Sequence, residues 1–154
     1  MHGNEKLFHS RIFRIYLDYL REVLHWTEGQ IEEFVSSIDT SRERLEDESS
    51  WVDVEFADKF YYRLRELTGD SNLAYNAGIF VNKKSLSPVF HQLLRGLMDV
   101  SFLYRVIAKF SGYFSRAAKF HVVNVGSNFA HLESTPVDGF EERAYMCENR
   151  RGTL

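Results

Sequence analysis

Apolar residues at Phe8, Ile12, Ile15, Tyr16, Tyr19, Leu20, Val23 and Leu24 recur at helical spacing, with Arg11, Arg14, Asp18 and Arg21 between them. This pattern predicts an amphipathic helix over 8–24. Thr27 is placed to cap a shorter helix whose Glu28 and Glu32 suit its positive end and whose inward face is Ile31, Phe34 and Val35. A third stripe, Phe56, Phe60, Leu64 and Leu67, follows the capping residue Asp53, and Gly69 is placed to end that helix in a left-handed conformation. Asp70 or Ser71 then caps a short helix carrying Leu73, Ala74, Ala77 and Phe80, whose small residues Ala74, Ala77 and Gly78 allow close approach to a neighbour.

The period changes within 88–134. Ser87-Pro88 is a strong helix start, because the proline ring fixes φ where no intrahelical N–H is needed. That helix carries Val89, Phe90, Leu93 and Leu94 until Gly96 interrupts it. Asp99 or Ser101 starts the next, with Phe102, Leu103, Val106, Ile107, Phe110 and Phe114. Beyond Ser115 the chain is β-rich. A turn at 126–128 joins two arms in a hairpin over 118–134, and 144–148 is the candidate third strand. The segment 149–154 has too little apolar content to specify an element. The expected fold is therefore α+β: a bundle of five or six helices, all preceding 118, followed by a small antiparallel sheet. The seam between the aromatic helix and the sheet is the expected place for core and pocket.

Composition narrows the class. With 154 residues, 13 Phe, 8 Tyr and 2 Trp, the chain can bury an aromatic core as a single domain over 1–154. Its one Cys147 forms no internal disulfide, and no apolar run reaches membrane-spanning length, so a cytoplasmic protein without a membrane partner is expected. The net charge of −3 provides no footprint for nucleic acid, since the pairs Lys83–Lys84 and Arg150–Arg151 are short and isolated.

The acidic connector 39–58 holds eight carboxylates against Arg42 and Arg44, but lacks the central Gly and alternating ligands of a Ca²⁺ loop. Trp51 and Val52 are expected to pin it to the body. No phosphate loop, nucleophile elbow, paired-Cys motif or zinc-protease pattern occurs, so binding is expected rather than catalysis, with no metal. His121 and His131 lie on the two hairpin arms and together make half a zinc site. His91 is a lone histidine on an apolar helix. The candidate ligand-binding set is Phe90, His91, Leu94, Tyr104, Arg105, Phe110, Phe114 and Phe120: an aromatic stripe with one guanidinium able to orient a polar or anionic group. The same stripe can equally fill a core.

The run RLEDESSWV at 44–52, with RELTGDSNLAYNAG at 65–78, resembles N-terminal sensory modules that precede histidine kinase or cyclase domains in bacterial signalling proteins, and is similar to the effector domains of AraC-type regulators. FSRAAKFHVVNVGSNFAHLE at 114–133 fits the helix-to-hairpin part of the same group, which is distantly similar to haem nitric-oxide-binding and vinyl-reductase-type domains. The resemblance spans about residues 10–150. The position of the ligating histidine in the haem-binding relatives falls near Arg105, and the cysteine cluster that binds zinc in some vinyl-reductase-type domains is missing, Cys147 being the one cysteine present, so no cofactor is expected. Members of the group continue beyond the CENRRG region at 147–152, which implies that this chain is a shortened module.

The resemblance implies a sensory input domain that binds a small, largely apolar ligand at the helix–sheet seam and relays it to a kinase- or cyclase-type output domain. The alternative is a dimerisation or scaffold module in which the stripe on 8–24, including Tyr16, Tyr19 and Leu20, pairs with a second copy as a homodimer.

Overall fold

The computed structural model describes residues 5–47, 49–85, 102, 104–105, 108–109, 111–113, 115–126 and 129–153. Helix α1 (Arg11–Glu22) begins later than its apolar spacing suggests, because Phe8–His9 leaves the helix to form strand β1. Its partner is β2 (Trp51–Val52), with Phe8 opposite Val52 and His9 opposite Trp51. Not everything ahead of the hairpin is helix, therefore. The stripe that reads as one helix contains two strand residues whose register is set by a segment far along the chain.

Local signals place most of the remaining helices. Thr27 and Gln30 form a reciprocal capping box at the start of α2 (Glu28–Ser37), with Gln30 N–H donating to Thr27 Oγ1 at 3.3 Å and Thr27 N–H to Gln30 Oε1 at 2.9 Å. Ser41 caps the short α3 (Arg42–Glu46), which lies inside the acidic connector. Asp53 accepts from the Phe56 N–H at 2.8 Å at the start of α4 (Val54–Thr68), and Gly69 ends that helix at φ 65°, a conformation glycine adopts without Cβ strain. Helix α5 (Leu73–Ser85) follows at once. The connector's charges are ordered into a surface network in which Arg21 and Arg42 both reach Glu28 and Glu46. Val52 is buried and Trp51 carries the Arg116 guanidinium 3.8 Å from its ring centroid, so this pair does pin the connector.

A 3₁₀ turn at Ser111–Tyr113 precedes strands β3 (Ala118–Val125) and β4 (Ala130–Pro136), which pair antiparallel. The hairpin is where its sequence places it. A bulge at Val123 interrupts the ladder between Val122 and Asn124. At the turn, Gly126 N–H donates to Phe129 O at 2.9 Å, and a Cβ on Gly126 would sit 2.2 Å from the Phe129 ring. The architecture is α+β, with two separate two-stranded sheets among the described residues.

The candidate third strand is overturned. Residues 144–148 open a helix, α6 (Ala144–Thr153), which also takes up most of the tail that promised no element. Its inward positions are Tyr145, Met146, Asn149 and Gly152. Beyond the first two, that face is an amide and a glycine, which carry no hydrophobic signal, so apolar periodicity does not extend along the helix.

The seam helix expected from Ser101 to Phe114 lies mostly outside the described residues, and among those described the core gathers in the helices ahead of it. Phe60 of α4 is its centre: Phe13, Tyr16 and Phe34 approach it edge-on with centroids 4.8, 5.9 and 5.1 Å away. Such pairs contribute about 0.5–1.5 kcal/mol each beyond their area. Leu17, Leu20, Ile31, Val35, Leu64 and Leu73 complete the packing with no solvent exposure, and Ala117, Ala118 and Phe140 are the buried apolar residues described in the hairpin region. The hairpin itself is half exposed along both arms. Among the described residues, α1, α2, α4 and α5 cover one another's apolar faces. The α1 stripe proposed for a second copy is therefore internal: Tyr16, Tyr19 and Leu20 are all at most 5 % exposed.

Candidate functional site

Strand β3 reads AlaLysPheHisValValAsnVal, β-branched and aromatic positions that suit an extended edge. Residues 104–105 and 108–109 are helical, and Arg105 and Ala108 together present one face to β3. Between that face and β3 lies a cleft of about 530 Å³, lined by Arg105, Ala108 and the consecutive run 120–125. A run of consecutive residues means that the strand presents its edge, backbone included, rather than one face of its side chains. Arg105 is exposed, and among the described residues no hydrogen bond or ion pair engages its guanidinium.

Two of the sequence candidates, Arg105 and Phe120, therefore meet in one cleft. Tyr104 is half-buried next to Arg105 but does not line it. Phe90, His91, Leu94, Phe110 and Phe114 lie outside the described residues. Ala108, His121 and Asn124 line the cleft without having been singled out for it. Ala108 was legible as the i+3 neighbour of Arg105, whereas an edge-on strand has no sequence signature. The two hairpin histidines do not face each other, because the bulge and register put His121 opposite Glu133 and His131 opposite Asn124. Among the described residues no group of three or more His, Cys, Asp or Glu side chains is placed to hold a metal ion. No described helix is long and apolar enough to cross a membrane.

Phe120 has a second neighbour. The Arg150 guanidinium of α6 lies 5.3 Å from its ring centroid, donates to Ser134 Oγ at 2.6 Å and pairs with Glu142. Cys147, exposed one turn earlier, directs its thiol to Glu142 Oε2 at 3.3 Å.

Helix α6 is in turn tied to the N-terminal core through phenols. Tyr145 stacks on Tyr61 with centroids 4.1 Å apart, and its hydroxyl donates to Asp58 Oδ1 at 2.9 Å while Arg143 Nε donates to Asp58 Oδ2 at 3.1 Å. Asn149 Nδ2 donates to Tyr16 Oη at 3.3 Å and to the Ala74 carbonyl at 3.1 Å. Burial first, then the neighbouring Tyr61, pushes the Tyr16 phenol well above the ordinary tyrosine range. Burial and then the Asp58 carboxylate do the same to Tyr145. Both therefore stay neutral at physiological pH, which suits a structural clamp and not an acid–base pair. The Tyr61 hydroxyl is buried, with no hydrogen-bond partner among the described residues. A second, open groove of about 420 Å³ at the end of α4 is lined by Tyr62, Arg65, Glu66, Gly69 and Ser71, where Arg65 and Glu66 place opposite charges side by side.

Neither a family model, nor a curated protein, nor a solved structure matches the chain.

Proposed function

We propose that this chain is a sensory input domain, working in the cytoplasm without catalysis of its own, that binds a small ligand in the β3-edge cleft and relays its occupancy to an output domain of kinase or cyclase type. The single observation that carries the reading is the meeting of Arg105 and Phe120 in a cleft of about 530 Å³, a volume suited to a small molecule. Arg105, His121, Asn124 and the edge backbone of β3 make the lining mostly polar, which favours a polar or anionic group, and Phe120 and Val122 offer it a smaller apolar contact. The output partner rests on the resemblance of 44–52, 65–78 and 114–133 to sensory modules. Ligand can shift an output only through unequal affinity for two arrangements of the protein, so the hairpin and the helix facing it are the elements to watch.

The fluorescent probe 8-anilinonaphthalene-1-sulfonate combines an aromatic body with one anionic group and tests the cleft directly. Titrated into the folded chain it is expected to bind, with affinity falling about tenfold in Arg105→Ala, the loss of one charge-assisted contact. Phe120→Ala should weaken it as well, and Tyr62→Ala, outside the cleft, should not. Equal binding by wild type, Arg105→Ala and Phe120→Ala would sink the reading, as would failure of the wild type to bind the probe together with no thermal shift across a metabolite panel.

A further inference from the structure

Among the described residues the hairpin is joined to the body at its base and gripped above it by Arg150. At the base, Arg116 N–H donates to Leu7 O at 2.8 Å and Ser115 bridges to Phe8, while Val137 N–H donates across the two arms to Ala117 O at 3.0 Å. Above the base both arms are only half-buried, so little apolar area holds them to the body. Helix α6 is the opposite case, since its Gly152 is packed against the backbone of α5 and its Asn149 is bonded to α1 and α5.

Arg150 spans the two. Phe120 and Ser134 form one rung of the ladder, one residue from each strand, and the Arg150 guanidinium engages both, lying near the Phe120 ring and donating to Ser134 Oγ at 2.6 Å. The ion pair with Glu142 compensates its charge in this partly buried place. A planar guanidinium can offer its face to a ring and its edge N–H groups to oxygens at once, which a lysine ammonium cannot.

We propose that Arg150 is the latch that fixes the free part of the hairpin to α6 and so sets the width of the cleft, of which Phe120 is a wall. Releasing it leaves a hairpin hinged at 115–116 and free to move relative to Arg105. The consequence for ligand rests on the cleft being the binding site; the mechanical claim does not.

Hydrogen–deuterium exchange on the full chain separates the two. In Arg150→Gln the amides of 120–125 and 130–134 should exchange about tenfold faster, the equivalent of one charge-assisted hydrogen bond, with α4 unchanged. Arg150→Lys should resemble Arg150→Gln. Ser134→Ala, which leaves α6 untouched, should move the same amides in the same direction by a smaller factor, and it decides the matter if Arg150→Gln disturbs α6 itself. Unchanged hairpin exchange in Ser134→Ala and in either Arg150 variant overturns the latch. The anilinonaphthalene sulfonate probe then reads the coupling: its affinity should change at least threefold in Arg150→Gln. Equal affinity alongside faster hairpin exchange overturns the control of cleft width, whereas a wild type that never binds the probe counts against the binding site and leaves the exchange result to decide the latch.

Discussion

Gly78 of α5 and Gly152 of α6 meet backbone to backbone: a Cβ on Gly78 would lie 2.2 Å from Asn149 O, and one on Gly152 would lie 2.1 Å from Tyr75 O. No side chain fits, because the obstructing atoms are main-chain atoms of the facing helix. Gly78→Ala and Gly152→Ala should each lower stability by about 2 kcal/mol, even though alanine favours a helix by roughly 1 kcal/mol over glycine. Urea unfolding would show it as a lower midpoint, and an unchanged or higher midpoint would mean that the helices are not in this contact.

Asp58 accepts from both Tyr145 and Arg143. Replacing it with alanine leaves the half-buried Tyr145 hydroxyl without its acceptor, at a cost of about 1 kcal/mol. Asp58→Asn keeps an acceptor for one of the two donors and should recover part of the loss. Thermal unfolding of the three proteins gives the order wild type, Asn, Ala; an alanine variant as stable as wild type would contradict the clamp.

The buried Tyr61 hydroxyl, without a partner among the described residues, leads to a prediction of opposite sign. Tyr61→Phe keeps the stack on Tyr145 and removes an unsatisfied polar atom, so stability should stay level or rise by up to about 1 kcal/mol. A loss greater than that in denaturant titration would reveal a hydrogen bond to this hydroxyl.

Alkaline pH should loosen α6. The Tyr16 phenol is held above its ordinary value by burial and then by Tyr61, so the folded state retains a proton that the unfolded chain releases above about pH 10. Its contribution is fully present below that pH and is lost as the pH climbs toward the raised folded value, by up to about 1.4 kcal/mol per pH unit. Urea midpoints between about pH 9 and pH 11 should fall more steeply in wild type than in Tyr16→Phe. Parallel curves for the two would remove Tyr16 as the cause.

The candidate site was half legible. Arg105 and Phe120 stand out as a guanidinium and an aromatic on either side of a helix-to-strand change, and they line one cleft. What escaped the reading was the manner of the lining, since β3 presents its edge, and an edge depends on which strands do not pair. His121 and His131 show the same limit: both arms of the hairpin follow from composition, but a one-residue bulge decides who faces whom.

Local chemistry carried the rest of the chain a long way. Thr27 with Gln30, Asp53 with Phe56, and Gly69 with Arg65 each act within three or four residues, where the outcome depends on side-chain oxygens and backbone angles already adjacent in the chain. The α+β class follows from the same short-range periods. Three things required distant segments to meet. Phe8 and His9 became a strand because Trp51 and Val52 lay alongside; the aromatic core of the described residues gathered on Phe60 because α1, α2, α4 and α5 covered one another; and 144–153 became a helix because Tyr145 found Tyr61 and because Asn149 and Gly152 found Tyr16, Ala74 and the backbone of α5. An amide and a glycine carry no hydrophobic pattern of their own, so their burial is decided by the partner that satisfies the one and fits against the other.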